Sequence, residues 1–304
     1  MWLPGRRGPL PAYQKPVPAN KGSLTPIAAL GKRGRPLYTG AMPSRPDPQR
    51  RPLAPPHPLV VTRGDRRTLE FVQGSVQSEM RLSRPSALVL AYVRAMMCFA
   101  LFVPRPRHIV MVGLGGGSLA KFCYRHFPDA RITVIELRAD VIALRARFCV
   151  PPDDARLTVV HADAAVHIAG LADSVDVLLV DGFDAAGLPP ALCSARFYAD
   201  CRRALREDGV LVTNAFSYDP NYRRLLARLQ LAFDGRLCRF DGVAGNNRVV
   251  FAIKAPFKAA PGASAALRMQ RRVARRNGLG AGLLNRLLVA ALVAWLGRRG
   301  NGSG

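Results

Sequence analysis

From residue 108 onward the chain alternates between apolar runs of strand length and helical segments, and this alternation constrains its fold more than any other feature. HIVMVG is the first strand, followed by a glycine cluster and the helix SLAKFCYRHF. ITVIE is the second, followed by a helix over Arg138–Phe148, and LTVVHAD is the third. VDVLLVD is the fourth, with a helix over Ser194–Leu205; GVLVTNAF is the fifth, with a helix through Tyr222–Phe233. LCRFDG and RVVFAIK then close as a hairpin around Gly245-Asn246-Asn247. Near-continuous apolar strands separated by helices predict an α/β fold, with a mostly parallel sheet of seven strands covered on both faces.

Upstream, LVVT, TLEFVQ and SVQSEMRL read as short strands with turns at Arg63-Gly64-Asp65 and Gln73-Gly74, a small β-hairpin region. Pro85 and Pro104 bracket a predicted helix over Ser86–Phe102. Residues 1–58 hold 14 of the 25 prolines. Proline fixes φ and removes amide donors, so this stretch is expected to be a disordered, basic tail. The expected units are therefore 1–58 (tail), 59–104 (β-hairpin region plus helix), 105–256 (Rossmann-like domain) and 257–304 (basic tail with an apolar helix).

Charge follows the same division. Lys and Arg number 45 against 20 Asp and Glu, a formal net charge of +25. Residues 1–58 and 255–304 each carry +9, leaving +7 for the middle. That distribution argues against a fold built around a basic nucleic-acid groove and suggests a nearly ordinary domain between cationic tails, which could contact nucleic acid or an anionic membrane. The opening MWLPGRRGPLP has no apolar run of signal-peptide length. Near the other end, Leu287–Leu296 is ten unbroken apolar residues, short of the roughly 20 a spanning helix needs. It reads as a docking or interfacial helix, with Arg275, Arg276, Arg298 and Arg299 favouring an anionic surface. The six cysteines form no C-x-x-C pair and no zinc-spaced cluster, so buried free thiols, a reducing cytoplasmic setting and no metal site are expected.

The chemistry-bearing residues fall at strand ends. VGLGGGSLAK places Gly113, Gly115, Gly116 and Gly117 between a buried strand and a helix N-terminus, where backbone can approach a ligand and free amides favour a polar group. Glu136 ends the second strand, where an acid can accept from ribose hydroxyls; the alternative is a surface glutamate at the following helix. Asp163 ends the third strand and could accept from an adenine amino group or cap a helix starting at Ala164. Asp181 and Asp184 end the fourth, and together could hold an amine and take its proton; the alternative is a solvated turn. Strand ends converging on one sheet edge are where open α/β sheets bind ligands, and the pattern fits a nucleoside-like cofactor.

With these motifs, from about Leu69 to Lys254, the chain resembles the spermidine synthase family (polyamine aminopropyltransferases), which has the class I methyltransferase fold. VDGFDAAGLPPALCSARFYADCRRALREDGVLVTNAF is similar to the family's D-S-S-D-P stretch and the run after it, and VGLGGGSLAK to its glycine motif. FVQGSVQSEM resembles the family's hairpin, making Gln77 a substrate or cofactor contact, and AYVRAMM its Tyr-His-Glu-Met segment, with Tyr92 in the tyrosine position. The resemblance implies a homodimer and a displacement reaction. Decarboxylated S-adenosylmethionine gives its aminopropyl group to an amine such as putrescine, methylthioadenosine leaves, and Asp181 orients and deprotonates the amine. Asp184, Tyr92 and Gln77 would contact substrate; Gly113, Gly115, Gly116, Gly117, Glu136 and Asp163 would hold the nucleoside.

The departures fall in one half of that site. Gly116 stands where the family has an aspartate that grips the donor's terminal amine. Tyr92-Val93-Arg94 puts a cation where the family has a carboxylate, and an inward-pointing Arg94 would repel a polyamine. Gly182, Phe183 and Ala185 replace the family's serines and proline. Two other readings stay open: an S-adenosylmethionine-dependent methyltransferase of unknown acceptor, and a non-catalytic nucleoside-binding protein whose tails bind nucleic acid or membrane.

Overall fold

The computed structural model describes residues 57–182, 188–254 and 278–299. The expected proline-rich tail and most of the basic C-terminal segment, Arg275 and Arg276 included, lie outside the described residues, as does Asp184.

A three-stranded antiparallel sheet comes first: β1 (Leu59–Arg63), β2 (Arg66–Val72) and β3 (Ser75–Arg81), in that order. Gly64 and Gly74 form its turns with positive φ. A second sheet has seven strands: β4 (His108–Val112), β5 (Arg131–Glu136), β6 (Leu157–His161), β7 (Val175–Val180), β8 (Leu205–Phe216), β9 (Leu237–Ala244) and β10 (Asn247–Ile253). Their order is β6-β5-β4-β7-β8-β10-β9. The first five are parallel; β10 runs antiparallel to both β8 and β9. The order reverses beside β4, and that switch point opens a crevice at the carboxyl ends of β4 and its neighbours.

The predicted alternation follows from burial. In β4, Ile109 and Met111 join one apolar cluster while Val110 and Val112 join another on the opposite face. The first face is covered by α1 (Ala91–Met96), α2 (Ser118–His126), α3 (Ala139–Ala143) and α7 (Gly278–Arg299), and it also takes in Leu69, Phe71 and Met80 of the small sheet. The second is covered by α4 (Ala164–Ala169), α5 (Ala195–Ala204) and α6 (Tyr222–Ala232).

Two predicted helices are shorter than the sequence implied. The segment expected as a helix over Ser86–Phe102 is α-helical only over Ala91–Met96, then tightens to a 3-10 turn over Met97–Leu101. Leu90 is extended at its start, and Met97 to Ala100 are all buried, so tertiary packing sets this path rather than helix propensity. The Arg138–Phe148 segment divides into α3 and a 3-10 turn over Arg145–Phe148, stopped by Cys149 in the left-handed region. All six cysteines are free and five are buried; Cys149, at that exposed helix end, is the exception to the expected pattern. The apolar C-terminal segment forms α7, which docks Val289, Leu292 and Leu296 into the core. Among the described residues no helix is long and apolar enough to cross a membrane.

Candidate active site

A cavity of about 420 Å³ lies at the carboxyl ends of the parallel strands, within the size range of small-molecule sites. It takes lining residues from the ends of β4 to β8, from β2 and β3, and from α1.

The glycine loop makes this geometry possible. Gly113 follows β4 at φ +92°, and a Cβ there would meet the Asp181 carbonyl oxygen at 2.7 Å. Only glycine lets the first loop lie against the end of β7. Gly113 and Gly115 line the cavity. Gly116 and Gly117 do not: they pack behind it, Gly116 towards Ser78 and Phe148 and Gly117 towards Val150. A Cβ at 116 would meet Ser78 Oγ at 2.7 Å and Phe148 Cδ1 at 2.9 Å, so this backbone has no room for an aspartate there.

Glu136 is the last residue of β5, 8% exposed and on the cavity wall, which removes the surface-glutamate alternative. Its Oε2 accepts from the Leu114 N–H (2.8 Å) and its Oε1 from the Arg138 N–H (2.9 Å), tying the glycine loop to the next turn. Each carboxylate oxygen has a second acceptor position. Arg138 also lines the cavity, but its guanidinium is engaged by Asp140 at 2.6 and 2.9 Å and sits over the Phe71 ring. Asp163 caps α4, its Oδ1 accepting from the Ala165 N–H at 2.7 Å, and also borders the cavity. Gln77 and Tyr92 line the cavity as well. Arg94 is exposed and does not, so the repulsion that an inward-pointing Arg94 would exert is absent.

Asp181 follows β7, its N–H bonded to the Val112 carbonyl at 3.0 Å. Its Oδ2 accepts from the Tyr92 hydroxyl (3.1 Å) and its Oδ1 from Asn214 Nδ2 (3.0 Å). Burial raises its pKa from 3.8 to about 6, opposed by those two hydrogen bonds. Burial and the adjacent Asp181 push the Tyr92 phenol well above 10, so it remains a donor. A carboxylate held by two neutral donors, ionised at neutral pH yet able to take a proton, suits general-base work.

Sequence reasoning did not single out Asn214 or Asn247. Asn214 is 2% exposed near the end of β8, and Asn247 Nδ2 donates to its Oδ1 at 3.0 Å. The signal was present in GVLVTNAF, where the polar pair Thr213-Asn214 interrupts an apolar buried strand. Among the described residues no group of three or more side chains has metal-binding geometry.

Comparison with known proteins gives the family and the fold. The model of the spermine/spermidine synthase domain matches residues 89–228. The polyamine aminopropyltransferase of Neisseria meningitidis serogroup A is 40% identical over 193 residues, covering 63% of this chain and 73% of the relative. That of Chromobacterium violaceum is 38% identical over 202 residues, covering 66% and 77%. Among solved structures, a probable spermidine synthase from Corynebacterium glutamicum superposes with a TM-score of 0.59 at 21% identity, covering 69% of this chain and 81% of that one. Human methyltransferase-like protein 13, in complex with SAH, superposes at 0.51 with 24% identity, covering 62% and 94%. These two structures show the shared fold, and the sequence relatives go further: the chain belongs to the polyamine aminopropyltransferase (spermidine synthase) family.

Proposed function

We propose that this protein transfers an aminopropyl group from decarboxylated S-adenosylmethionine to an amine such as putrescine. The observation that carries this reading is the Asp181 carboxylate, held by Tyr92 and Asn214 in a cavity that Glu136 also lines. The nucleoside lies along the strand ends. Gly113 and Gly115 allow its close approach, Glu136 accepts from the ribose hydroxyls, and Asp163 borders the base. Gln77 and Tyr92 contact the substrates; Asp184, the other carboxylate expected at the amine, lies outside the described residues.

The acceptor amine arrives mostly as an ammonium at neutral pH. Asp181 binds it as a counter-charge and accepts one N–H proton. The freed nitrogen lone pair attacks the aminopropyl carbon beside the sulfonium. The C–N bond forms as the C–S bond breaks, and the C–S electron pair leaves with methylthioadenosine. Holding nucleophile and sulfonium in line supplies much of the rate. The test is methylthioadenosine release from the decarboxylated donor with a panel of amines. Wild type is expected to turn over, and Asp181→Asn to lose at least about 100-fold in kcat, a typical contribution for a positioned base. An Asp181→Asn variant that works at the parent's rate removes Asp181 from this role.

One observation favours a second reading, methyl transfer from intact S-adenosylmethionine. Gly116 carries no carboxylate and packs behind the cavity against Ser78, a wall residue that is itself neutral. Such a corner lacks the counter-charge expected for a lone ammonium and tolerates the carboxylate of an intact methionine tail. Calorimetry with the two donors separates the readings: tighter binding of the decarboxylated form supports aminopropyl transfer.

A further inference from the structure

We propose that Asn247 is a positioning residue: it fixes the Asn214 amide so that the nitrogen, and not the oxygen, faces the Asp181 carboxylate. This rests on the reading of Asp181 as the base.

A primary amide has two nearly isosteric orientations, with opposite electrostatic sense towards a carboxylate. With Nδ2 forward, Asn214 donates to Asp181 at 3.0 Å. With Oδ1 forward, the two oxygens repel, and the carboxylate loses one of the two side-chain donors it has among the described residues. The Asn214 side chain alone does not choose. Asn247 chooses, because its Nδ2 donates to the Asn214 oxygen at 3.0 Å and holds it away from Asp181.

The backbone supports this aim. Asn247 is the first residue of β10, paired with Phe216 of β8, so it sits beside the end of the strand that carries Asn214. The β9–β10 ladder has an irregularity between Asn247 and Val249, a feature that re-aims side chains near sites. The Ser217 N–H, bonded to the Asn246 carbonyl at 2.9 Å, fixes the hairpin against β8.

Among the described residues, the ionisable group in contact with Asp181 is Tyr92 of α1. Glu136 and Arg138 from the end of β5 and Asp163 after β6 share the cavity, with Arg138 engaged by Asp140. The neutral pair Asn214 and Asn247 is thus the lever on when Asp181 ionises. An amide that can turn weakens the ionised form, so the acid limb of the rate profile moves upward.

The test is the pH dependence of methylthioadenosine release by the full chain. Asn247→Leu keeps the number and branching of side-chain heavy atoms and removes the donor, without adding charge. The acid limb of kcat is expected to move up by about half to one pH unit, and the ratio of kcat at pH 6 to kcat at pH 8 to fall about two- to fivefold, as expected when a hydrogen bond to a charged group is weakened. Asn247→Gln, which retains an amide donor, is expected to restore the limb towards its original position. In an Asn214→Leu background the further change Asn247→Leu is expected to move nothing, because the route through Asn214 is already cut. Should Asn247→Leu fail to fold, Asn247→Ala carries the same expectation, since truncation at a cavity wall leaves no sealed void. An acid limb left at the parent's position, or a shift that persists undiminished without Asn214, overturns the proposal. An Asp181→Asn variant of full activity overturns the underlying reading instead, so the two failures are distinct.

Discussion

Replacing Asp181 with asparagine is expected to stabilise the ligand-free protein while removing its chemistry. The folded state raises the Asp181 pKa from 3.8 to about 6. Protons are therefore held more tightly by the folded chain than by the unfolded one. Well below about pH 4 both states are protonated and the residue costs nothing. Between about pH 4 and pH 6 the unfolded state ionises first, and stability is lost as pH rises; above about pH 6 the cost is complete. A rise of that size corresponds to about 3 kcal/mol. Partial access of solvent through the cavity, and weaker hydrogen bonds from Tyr92 and Asn214 to a neutral amide, reduce the net gain to about 1–3 kcal/mol. Urea unfolding of both proteins between pH 4 and pH 8 measures it. The depressed carboxylates of Asp65, Asp140, Asp154 and Asp234 make both proteins less stable in acid, and they cancel in the difference. The difference is expected near zero at pH 4 and largest at pH 8. A difference independent of pH, or a less stable variant at pH 8, refutes the assignment of burial as the dominant cause.

Other substitutions test separate parts of the site. Glu136→Gln is expected to weaken methylthioadenosine binding about tenfold by calorimetry, because a charged acceptor becomes neutral; unchanged affinity removes Glu136 from the ribose site. Gly116→Asp, which meets Ser78 and Phe148, is expected to lower the melting temperature without tightening donor binding; a stable variant with higher affinity for the decarboxylated donor contradicts the described packing. Arg94→Glu is expected to change KM for putrescine less than about twofold at moderate salt, since the side chain is exposed and off the cavity wall. A large drop in KM places Arg94 in the acceptor site.

What the sequence disclosed, and what it hid, follows from the range of the forces involved. Strand and helix alternation is a local consequence of burial on both faces, so HIVMVG and VDVLLVD were legible as buried strands. The strand-end acids were legible because parallel topology sends Glu136, Asp163 and Asp181 to one edge. Shape at a single residue was not. Gly116 and Gly117 share a motif with Gly113 and Gly115, yet two of the four face the cavity and two pack behind it, as decided by Ser78, Phe148 and Val150 from elsewhere in the chain. Arg94 follows Tyr92 by two positions, and the helical turn carries it outward. The pairing of Asn214 with Asn247 depends on β10 running antiparallel beside β8, a contact 33 residues apart that no local pattern encodes.

The most direct test of the account is a crystal structure with methylthioadenosine bound. The prediction is a nucleoside along the strand ends, ribose hydroxyls on Glu136 and sulfur facing the Asp181 carboxylate. A crevice left empty at saturating ligand, or a nucleoside bound with its sulfur turned away from Asp181, contradicts it.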